Sequence, residues 1–169
     1  MKQPNIEIEK KYIIAIPEES VLSVMEEYTR SEIVQIYLES PAGITHRVRS
    51  RERSGNVTYT ETKKIRIDKM SSYEDEHEIT KEEFLALAEK RDKSTAPIHK
   101  IRYTFVYFGQ LFEIDVYPEW QRTAILETEL KTRETQVKFP EFVKILSDVT
   151  GDKRYSNASM SKVFPEEYF

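Results

Sequence analysis

The stretch that decides the fold is Ile6-Glu7-Ile8-Glu9-Lys10-Lys11, near the amino terminus, in which apolar and charged residues alternate. Successive side chains of a β-strand point to opposite faces of the sheet. The two isoleucines would therefore lie on one face, and the charged residues at positions 7, 9 and 11 on the other. A strand with one apolar and one fully charged face is the unit from which the rest of the fold can be argued.

The same alternation recurs along most of the chain, which predicts a mainly β protein. It divides into eight runs, which cover residues 5–14, 33–39, 44–53, 57–66, 73–79, 99–108, 111–118 and 123–131. Short turn signals at Ser54-Gly55-Asn56 and Phe108-Gly109-Gln110 separate neighbouring runs and suit hairpins. Neighbouring strands are therefore expected to be antiparallel.

Three segments have the apolar spacing of amphipathic helices. The first follows Pro17 and carries Val21, Leu22, Met25 and Tyr28; the second opens on the capping box Thr80-Lys81-Glu82-Glu83; the third runs from near Pro140 to Gly151. Such helices pack their apolar side against strands, so the predicted fold class is α+β, mainly β. No repeat or linker marks a boundary, and residues 1–169 are expected to form a single domain.

Composition excludes several classes of protein. The chain has no cysteine, so it has no disulfide framework and no thiolate nucleophile, and the cytoplasm is the expected compartment. No stretch approaches the roughly 20 apolar residues that span a bilayer, and the charged amino terminus does not suit a signal peptide. The net charge of −4 does not favour a diffuse nucleic-acid-binding surface.

Charged residues occupy alternate positions in six of the eight runs. They are Glu7, Glu9 and Lys11; Arg47, Arg49 and Arg51; Glu74, Glu76 and Glu78; Lys100 and Arg102; Glu113 and Asp115; and Glu127 and Glu129. In a single run this pattern is typical of a solvent-facing strand. Here acidic and basic runs are separate, and like charges two residues apart repel each other, which an ordinary solvent face would avoid by mixing. The charged face is therefore expected to have a function.

A closed barrel would explain where these charges go. The apolar partners of the charged residues can be covered by helices only if they lie outside, which leaves the charges inside. The predicted architecture is a closed eight-stranded antiparallel β-barrel with amphipathic helices packed outside. Carboxylates hold Mg²⁺ or Mn²⁺ through hard oxygen ligands, while Arg and Lys bind phosphate oxygens. The interior thus suits a small polyanion that binds together with divalent cations.

Other ligands and chemistries are less consistent with the sequence. Between residues 44 and 70 eight basic residues accompany three acidic ones, which makes duplex nucleic acid a competing ligand. The interleaved acidic strands would repel its continuous backbone, so no nucleic-acid partner is expected. His46, His77 and His99 lack metal-ligand spacing, and no Ser or Thr lies in a nucleophile motif, so covalent catalysis is not indicated.

In this setting Glu7-Ile8-Glu9-Lys10-Lys11 resembles the ExExK signature of the CYTH superfamily, the triphosphate tunnel metalloenzymes. Seven further segments are similar to the family's motifs and follow in its order. They are His46–Arg49 (RxR), Tyr59–Lys64 (TxK), Glu74–Ile79 (ExExxI), Lys100–Tyr103 (KxRY), Phe112–Val116 (ExD), Glu127–Leu130 (ExEL) and the carboxyl-terminal Gly151–Asn157. The resemblance therefore covers nearly the whole chain.

The resemblance implies an eight-stranded tunnel that binds triphosphate compounds with Mg²⁺ or Mn²⁺. The metal ligands it implies are Glu7, Glu9, Asp115, Glu127 and Glu129, and the supporting carboxylates are Glu74, Glu76 and Glu113. The phosphate contacts it implies are Lys11, Arg47, Arg49, Lys64, Lys100, Arg102 and Arg154. By the same resemblance Glu7, Glu9 and Lys11 are the catalytic candidates.

Two positions leave alternatives open. Ser72 stands where many members of the family carry Arg, so that one phosphate contact is either missing or supplied by Arg51. Lys63 and Lys64 are adjacent, and a slip of one residue in the strand would exchange which of them faces the interior.

The leading functional hypothesis is metal-assisted hydrolysis of a phosphoanhydride, with inorganic tripolyphosphate as the substrate. A thiamine or nucleoside triphosphatase, or a class IV adenylyl cyclase, would keep the tunnel and change the organic group or the reaction. A non-catalytic polyphosphate- or nucleotide-binding module is the alternative from another class. Metal preference and oligomeric state, monomer or homodimer, stay open.

Overall fold

The computed structural model describes residues 5–169, and within them the chain forms nine strands and three short α-helices. The strands are β1 Asn5–Ala15, β2 Glu26–Tyr37, β3 Ile44–Arg53, β4 Asn56–Arg66, β5 Ser71–Ile79, β6 Ile98–Tyr107, β7 Gln110–Val116, β8 Thr123–Glu129 and β9 Ile145–Asp148. The helices are α1 Glu19–Leu22, α2 Lys81–Ala88 and α3 Asn157–Met160, with a 3₁₀ turn at Lys153–Tyr155.

Eight of the strands close into a barrel. Their order is β5-β4-β3-β2-β6-β7-β8-β1, and β1 pairs in turn with β5, which closes the circle. Every pairing is antiparallel, and β9 is an extra strand beside β1. The mainly β fold class and the closed eight-stranded barrel predicted from the sequence are confirmed.

Strand β1 pairs with three other strands. One of its edges pairs with β8, and different parts of the other edge pair with β5 and β9. Residues Asn5–Ile8 pair with β5, and Tyr12–Ile14 pair with β9. Between these two pairings, the backbone N–H of Glu9 donates to the carbonyl of Met70 at 2.9 Å. The loop between β4 and β5 therefore completes the backbone hydrogen bonding of β1 at its centre.

Two hairpins lie where the sequence predicts them, and each joins its strands by a two-residue turn. Arg53 pairs with Asn56 around Ser54 and Gly55, whose φ angles are 49° and 83°. Phe108 and Gly109 form the same kind of turn between β6 and β7, with φ angles of 49° and 71°. Positive φ at both central residues matches the right-handed twist of the flanking strands.

The outer face of the barrel is covered by apolar clusters. One of them is built on β1, β6, β7 and β8 and consists of Tyr12, Ile14, Leu22, Phe105, Phe112, Ile114, Ala124 and Leu126. The irregular segment around Val137, Phe139 and Phe142 packs over it. On the opposite side α2 packs Phe84 against Val48, Leu38 and Ile79, so this predicted helix lies outside the barrel as expected.

A third apolar cluster lies at one end of the barrel. The inward positions that continue the charged rows become apolar there, at Ile13 on β1, Ile98 on β6 and Ile125 on β8. They pack with residues outside the barrel strands, namely Tyr117, Trp120, Val149, Tyr155, Met160 and Phe164. The carboxyl-terminal segment therefore packs across this end of the interior.

Two of the three helix predictions need correction. The first helix is shorter than predicted and consists only of α1. From Glu26 onwards the chain belongs to β2, where Thr29 pairs with Thr104 of β6. The third helix is wrong, because Ile145–Asp148 forms β9 on the part of the β1 edge that β5 leaves open. In both cases tertiary strand pairing overrides a helical spacing of apolar residues. Among residues 5–169 no helix is long and apolar enough to cross a membrane.

Replacing Thr80 by Ala is expected to lower the free energy of unfolding by about 1 kcal/mol. The Thr80 hydroxyl accepts from the N–H of Glu83 at 3.1 Å, and the Glu83 carboxylate accepts from the N–H of Thr80 at 2.8 Å, so one end of the capping box would be lost. Urea unfolding measures the change. Thr80→Ser, which keeps the hydroxyl, should unfold close to the wild type, and an unchanged midpoint for Thr80→Ala would contradict the expectation.

Candidate active site

The charged residues of the strands line a single cavity inside the barrel, with a volume of about 490 Å³. Its charged lining from the strands comprises Glu7, Glu9, Lys11, Arg47, Arg49, Arg51, Arg53, Lys64, Arg66, Glu74, Glu76, Arg102, Glu113, Glu127 and Glu129. Alternation along each strand places these side chains inside and their apolar neighbours outside. Residues 149–152 and 156–158, which lie outside the barrel strands, line the cavity as well.

The strand order separates the charges into two walls. The cationic wall, formed by the inward bases of β4, β3 and β6, contains Lys64, Arg66, Arg47, Arg49, Arg51, Arg53 and Arg102. Strand β2 lies between β3 and β6 and contributes the uncharged, buried side chains of Ser31 and Gln35 at inward positions. All positive side chains of the lining except those of Lys11 and Lys69 belong to this wall.

The acidic wall consists of the inward carboxylates of β7, β8, β1 and β5, which are neighbours in the closed sheet. Glu9 lies directly opposite Glu129, and Glu113 lies directly opposite Glu127. Like charges at opposed positions of neighbouring strands destabilise a sheet. This wall therefore concentrates negative charge on one side of the cavity.

Burial and mutual repulsion change the acidity of this wall. Burial, reinforced by the neighbouring carboxylate of Glu74, raises the pKa of Glu7 to about 8. Burial and then Glu127 raise the pKa of Glu9. Burial and then Glu113 raise the pKa of Glu129 in the same direction. A cation beside these groups would favour their charged forms.

Several ion pairs connect the cationic wall to the acidic wall, and one lysine neutralises a carboxylate within the acidic wall. The Nζ of Lys64 lies 3.5 Å from Glu74 and 3.9 Å from Glu9, and Nη2 of Arg47 lies 3.8 Å from Glu74. Lys11 is on the acidic side, where its Nζ lies 3.2 Å from Glu127 and donates to the Tyr155 carbonyl at 3.0 Å. Although burial opposes it, Lys11 lowers the pKa of Glu127 to about 2, so this carboxylate is ionised at neutral pH.

Asp115 and Lys100 have surroundings that differ from those of the other candidates. Asp115 is 1% exposed, and its carboxylate accepts from Lys100 Nζ at 2.8 Å and from Arg102 Nε at 2.7 Å. Although burial opposes it, Arg102 and Lys100 hold the pKa of Asp115 well below its usual range. Neither Asp115 nor Lys100 lines the cavity. Both carboxylate oxygens of Asp115 are thus occupied by cationic side chains, and Asp115 holds Arg102 at the cavity edge.

The remaining predicted residues divide between the cavity and the surface. Glu76 lines the cavity and accepts from the Thr62 hydroxyl at 2.8 Å. Arg154 does not line it, because its exposed guanidinium pairs with Asp152 at 2.7 Å. Of the two adjacent lysines in β4, Lys64 faces the interior and Lys63 is exposed.

Three arginines of the lining were outside the predicted phosphate-binding set, namely Arg51, Arg53 and Arg66, although Arg51 was one of the two alternatives for the contact missing at Ser72. Arg51 and Arg53 continue the row of Arg47 and Arg49 on the same face of β3. The signal was present in the sequence, since the period of two that marks Arg47 and Arg49 runs on through position 53. Within the part of the chain that the structure describes, the buried Nε atoms of Arg47, Arg49 and Arg51 have no hydrogen-bond acceptor.

The closed barrel with a cavity walled by opposite charges is similar to several solved structures. The inorganic triphosphatase NE1496 is 26% identical over 94% of this chain and 96% of that one, with a TM-score of 0.58. PH1819 from Pyrococcus horikoshii OT3 is 22% identical over 76% of this chain and 80% of that one, with a TM-score of 0.57.

A third similar structure is HpAC1 from Hippeastrum, described as a candidate adenylyl cyclase with a dominant triphosphatase activity. It is 17% identical over 75% of this chain and 81% of that one, with a TM-score of 0.52. Comparisons of the sequence with protein-family models and with curated proteins found no significant match. The structural neighbours are triphosphate tunnel proteins of the CYTH superfamily, and the resemblance of this chain to that group is confirmed through its fold.

Asp115→Asn is expected to lower the free energy of unfolding by about 3–5 kcal/mol, because it removes the buried negative charge that pairs with both Lys100 and Arg102. Denaturant unfolding followed by circular dichroism measures the change. Asp75→Asn removes the same charge from an exposed position on β5 and serves as the matched control. Equal unfolding midpoints for the two variants would show that the buried ion cluster does not stabilise the fold.

The same cluster predicts a loss of stability in acid. Because the pKa of Asp115 is lower in the folded protein than in the unfolded chain, its stabilisation is fully present above the unfolded value of about 3.9. That stabilisation is lost as the pH falls from there through the folded pKa. The unfolding midpoint of the wild type should therefore fall more steeply below about pH 4 than that of Asp115→Asn; parallel profiles would contradict this assignment.

Proposed function

We propose that this protein is a divalent-metal-dependent hydrolase of triphosphate-containing substrates, with inorganic tripolyphosphate as the leading substrate. The observation that carries the proposal is the pair of opposed walls, cationic on β4, β3 and β6 and acidic on β7, β8, β1 and β5, across one cavity. A polyphosphate needs cations along its oxygens, and a divalent cation bound with it needs carboxylates. The cavity offers these two sets of groups on facing sides.

The cationic wall would bind the phosphate oxygens. Arg47 and Arg49 on β3 and Lys64 on the neighbouring β4 would hold the substrate, and Arg102 would contact it from β6. Arginine suits this role because its planar guanidinium donates two parallel hydrogen bonds to one phosphoryl group. Burial, together with the nearby charges of Arg47 and Arg102, lowers the pKa of Arg49 to about 9, which an anionic ligand would reverse.

The acidic wall has the donor chemistry that Mg²⁺ or Mn²⁺ requires. Triphosphate tunnel enzymes of this fold generally depend on a divalent metal ion. Glu7, Glu9, Glu127 and Glu129 would hold it here, because carboxylate oxygens are its preferred ligands and three of these groups have raised pKa values that a cation would relieve. Within residues 5–169 no three such side chains already stand in a ligand arrangement, so the set would assemble as the ion binds.

Catalysis would consist mainly of positioning and electrostatic stabilisation. When bound, a divalent cation polarises phosphate oxygens and lowers the pKa of a coordinated water. The arginines of the cationic wall would stabilise the charge that develops on the transferred and leaving phosphoryl groups. Lys11, held between Glu127 and the Tyr155 carbonyl, would keep Glu127 ionised and orient it. Asp115 would act as a positioning residue for Arg102 and is left out of the ligand set.

An inorganic substrate suits the lining better than an organic one. Among the described residues, Tyr37 is the single aromatic side chain of the cavity lining, so a base or a thiazole ring would find few stacking partners. The similarity to NE1496, described as an inorganic triphosphatase, supports the same choice. A thiamine or nucleoside triphosphatase, a class IV adenylyl cyclase and a non-catalytic binding module stay as alternatives that differ in product.

We further propose that the enzyme acts in the cytoplasm on a small polyanion, without a nucleic-acid partner. The absence of cysteine suits a reducing compartment. The acidic wall of the cavity would repel a continuous nucleic-acid backbone. Monomer and homodimer are equally compatible with a site that lies within one barrel.

The decisive experiment is an incubation of the purified protein with Mg²⁺ or Mn²⁺ and, separately, tripolyphosphate, ATP and thiamine triphosphate. Phosphorus NMR identifies the products. Release of orthophosphate and pyrophosphate from tripolyphosphate is the expected result. Formation of cyclic AMP and pyrophosphate from ATP would contradict the proposal and favour the adenylyl cyclase. Binding without any product would favour the non-catalytic binding module.

Glu7→Gln and Glu129→Gln are each expected to reduce phosphate release by more than about 100-fold while leaving the fold intact. Each change removes a charged metal ligand but keeps the shape of the side chain. Phosphate release under saturating Mg²⁺ and circular dichroism provide the two readouts. Glu89→Gln, which removes an exposed carboxylate after α2, is the control, and near-wild-type turnover by either cavity variant would argue against the assignment.

A further inference from the structure

The inward face of β3 carries an unbroken row of four arginines, Arg47, Arg49, Arg51 and Arg53, and all four line the cavity. The row begins beside the apolar cluster at the packed end, where Arg47 pairs with Tyr37 across β2 and β3. From there, Arg49 is buried, Arg51 is partly exposed and Arg53 is exposed. The row thus runs from the interior outwards to the barrel mouth.

The outer half of the arginine row, Arg51 and Arg53, is not paired with carboxylates. Lys64, Arg47, Arg102 and Lys11 all have a carboxylate oxygen within 4.0 Å. Within residues 5–169, no carboxylate lies that close to Arg49, Arg51 or Arg53.

The outer arginines are nevertheless held in place. The Nε of Arg53 donates to the hydroxyl of Ser31 at 3.2 Å, which fixes the side chain at the mouth. The Nε of Arg51 is buried without an acceptor among the described residues. Burial and the neighbouring charge of Arg102 lower the pKa of Arg51, which is the direction expected where positive charge exceeds negative charge. An anion at this position would accept a hydrogen bond from Arg51 and would offset the excess positive charge.

The length of the row exceeds the length of a triphosphate. Alternate residues of a strand lie about 6.6 Å apart, so the four arginines extend over about 20 Å. Adjacent phosphorus atoms share one bridging oxygen and are therefore separated by less than half of one such interval. Three phosphoryl groups cover about one interval of the row, and its outer members lie beyond a tripolyphosphate bound at Arg47 and Arg49.

We propose that Arg51 and Arg53 form an additional phosphoryl subsite, through which the cavity binds linear polyphosphates longer than tripolyphosphate. This inference rests on the proposed function for the position of the first three phosphoryl groups. The extra groups extend along β3 towards the mouth, where bidentate contacts from the two guanidinium groups hold them. The preferred ligand class is then set by the length of the arginine row rather than by recognition of an organic group.

The test compares the dissociation constants of tripolyphosphate and linear octapolyphosphate by calorimetry, with EDTA present so that hydrolysis does not consume the ligand. A chain of about eight phosphoryl groups is long enough to extend along the whole row, and the wild type should bind it more tightly. Arg51→Gln and Arg53→Gln should each weaken octapolyphosphate binding by roughly tenfold, the effect of one lost charge-assisted hydrogen bond, and change tripolyphosphate binding much less. Arg51→Lys should restore part of the difference.

Lys63→Gln is the matched control, because Lys63 is an exposed cation on the outer side of β4 whose loss changes the net charge equally. Equal weakening of both ligands by Arg51→Gln, with no effect of Arg53→Gln, would overturn the subsite and assign Arg51 to the triphosphate in place of the arginine absent at Ser72. Unchanged binding in both variants would overturn it as well. A length-dependent difference in binding without phosphate release in Mg²⁺ would uphold the subsite and refute the hydrolase.

Discussion

The pairing of Asn5–Ile8 with Ser71–Glu74 closes the sheet, and the rest of the structure depends on this closure. An open sheet with the same strands would expose its charged face to water, where the charges would be screened and solvated. Once β1 and β5 are joined, that face becomes the interior of a barrel, and every charge on it must find a partner or a ligand. The fold and the site are therefore consequences of the same backbone hydrogen bonds.

Closure also determines how the interior charges are distributed. Small eight-stranded barrels are usually filled by side chains. Here the filling is apolar only at one end, around Ile13, Ile98 and Ile125, and ionic around Asp115, which is buried with Lys100 and Arg102. Most of the remaining bases and carboxylates lie on two separate walls, which a few ion pairs such as Lys64–Glu74 connect, and between the walls is a cavity of about 490 Å³. Instead of a densely packed interior, the barrel therefore contains a cavity whose cationic wall attracts an anion and whose acidic wall attracts a cation.

Much of this could be predicted from the sequence, because strand alternation is a local property. An alternating run was predicted for each of the eight barrel strands, although for β2 it covered only the second half, and the positions of both hairpins and the capping box at Thr80 were predicted correctly. The errors have a common cause. Residues 145–148 have a helical spacing of apolar residues, yet they form β9 because an open length of β1 edge is available to them. Pairing with β6 likewise extends β2 back to Glu26. The local sequence of residues 26–28 or 145–148 does not show that a partner strand is available.

For the site, the sequence by itself determined which side chains share the inner face, since the period of two assigns each charged residue to one side of its strand. Only the tertiary structure decided which charges face each other, because that depends on the order in which distant strands pair. The order brought β4 and β3 close to β6 and set them against β7, β8, β1 and β5. It also turned Asp115 towards Lys100 and Arg102, since buried charges pair with the nearest opposite charge that closure supplies, whereas Arg154 stays exposed and pairs with its chain neighbour Asp152.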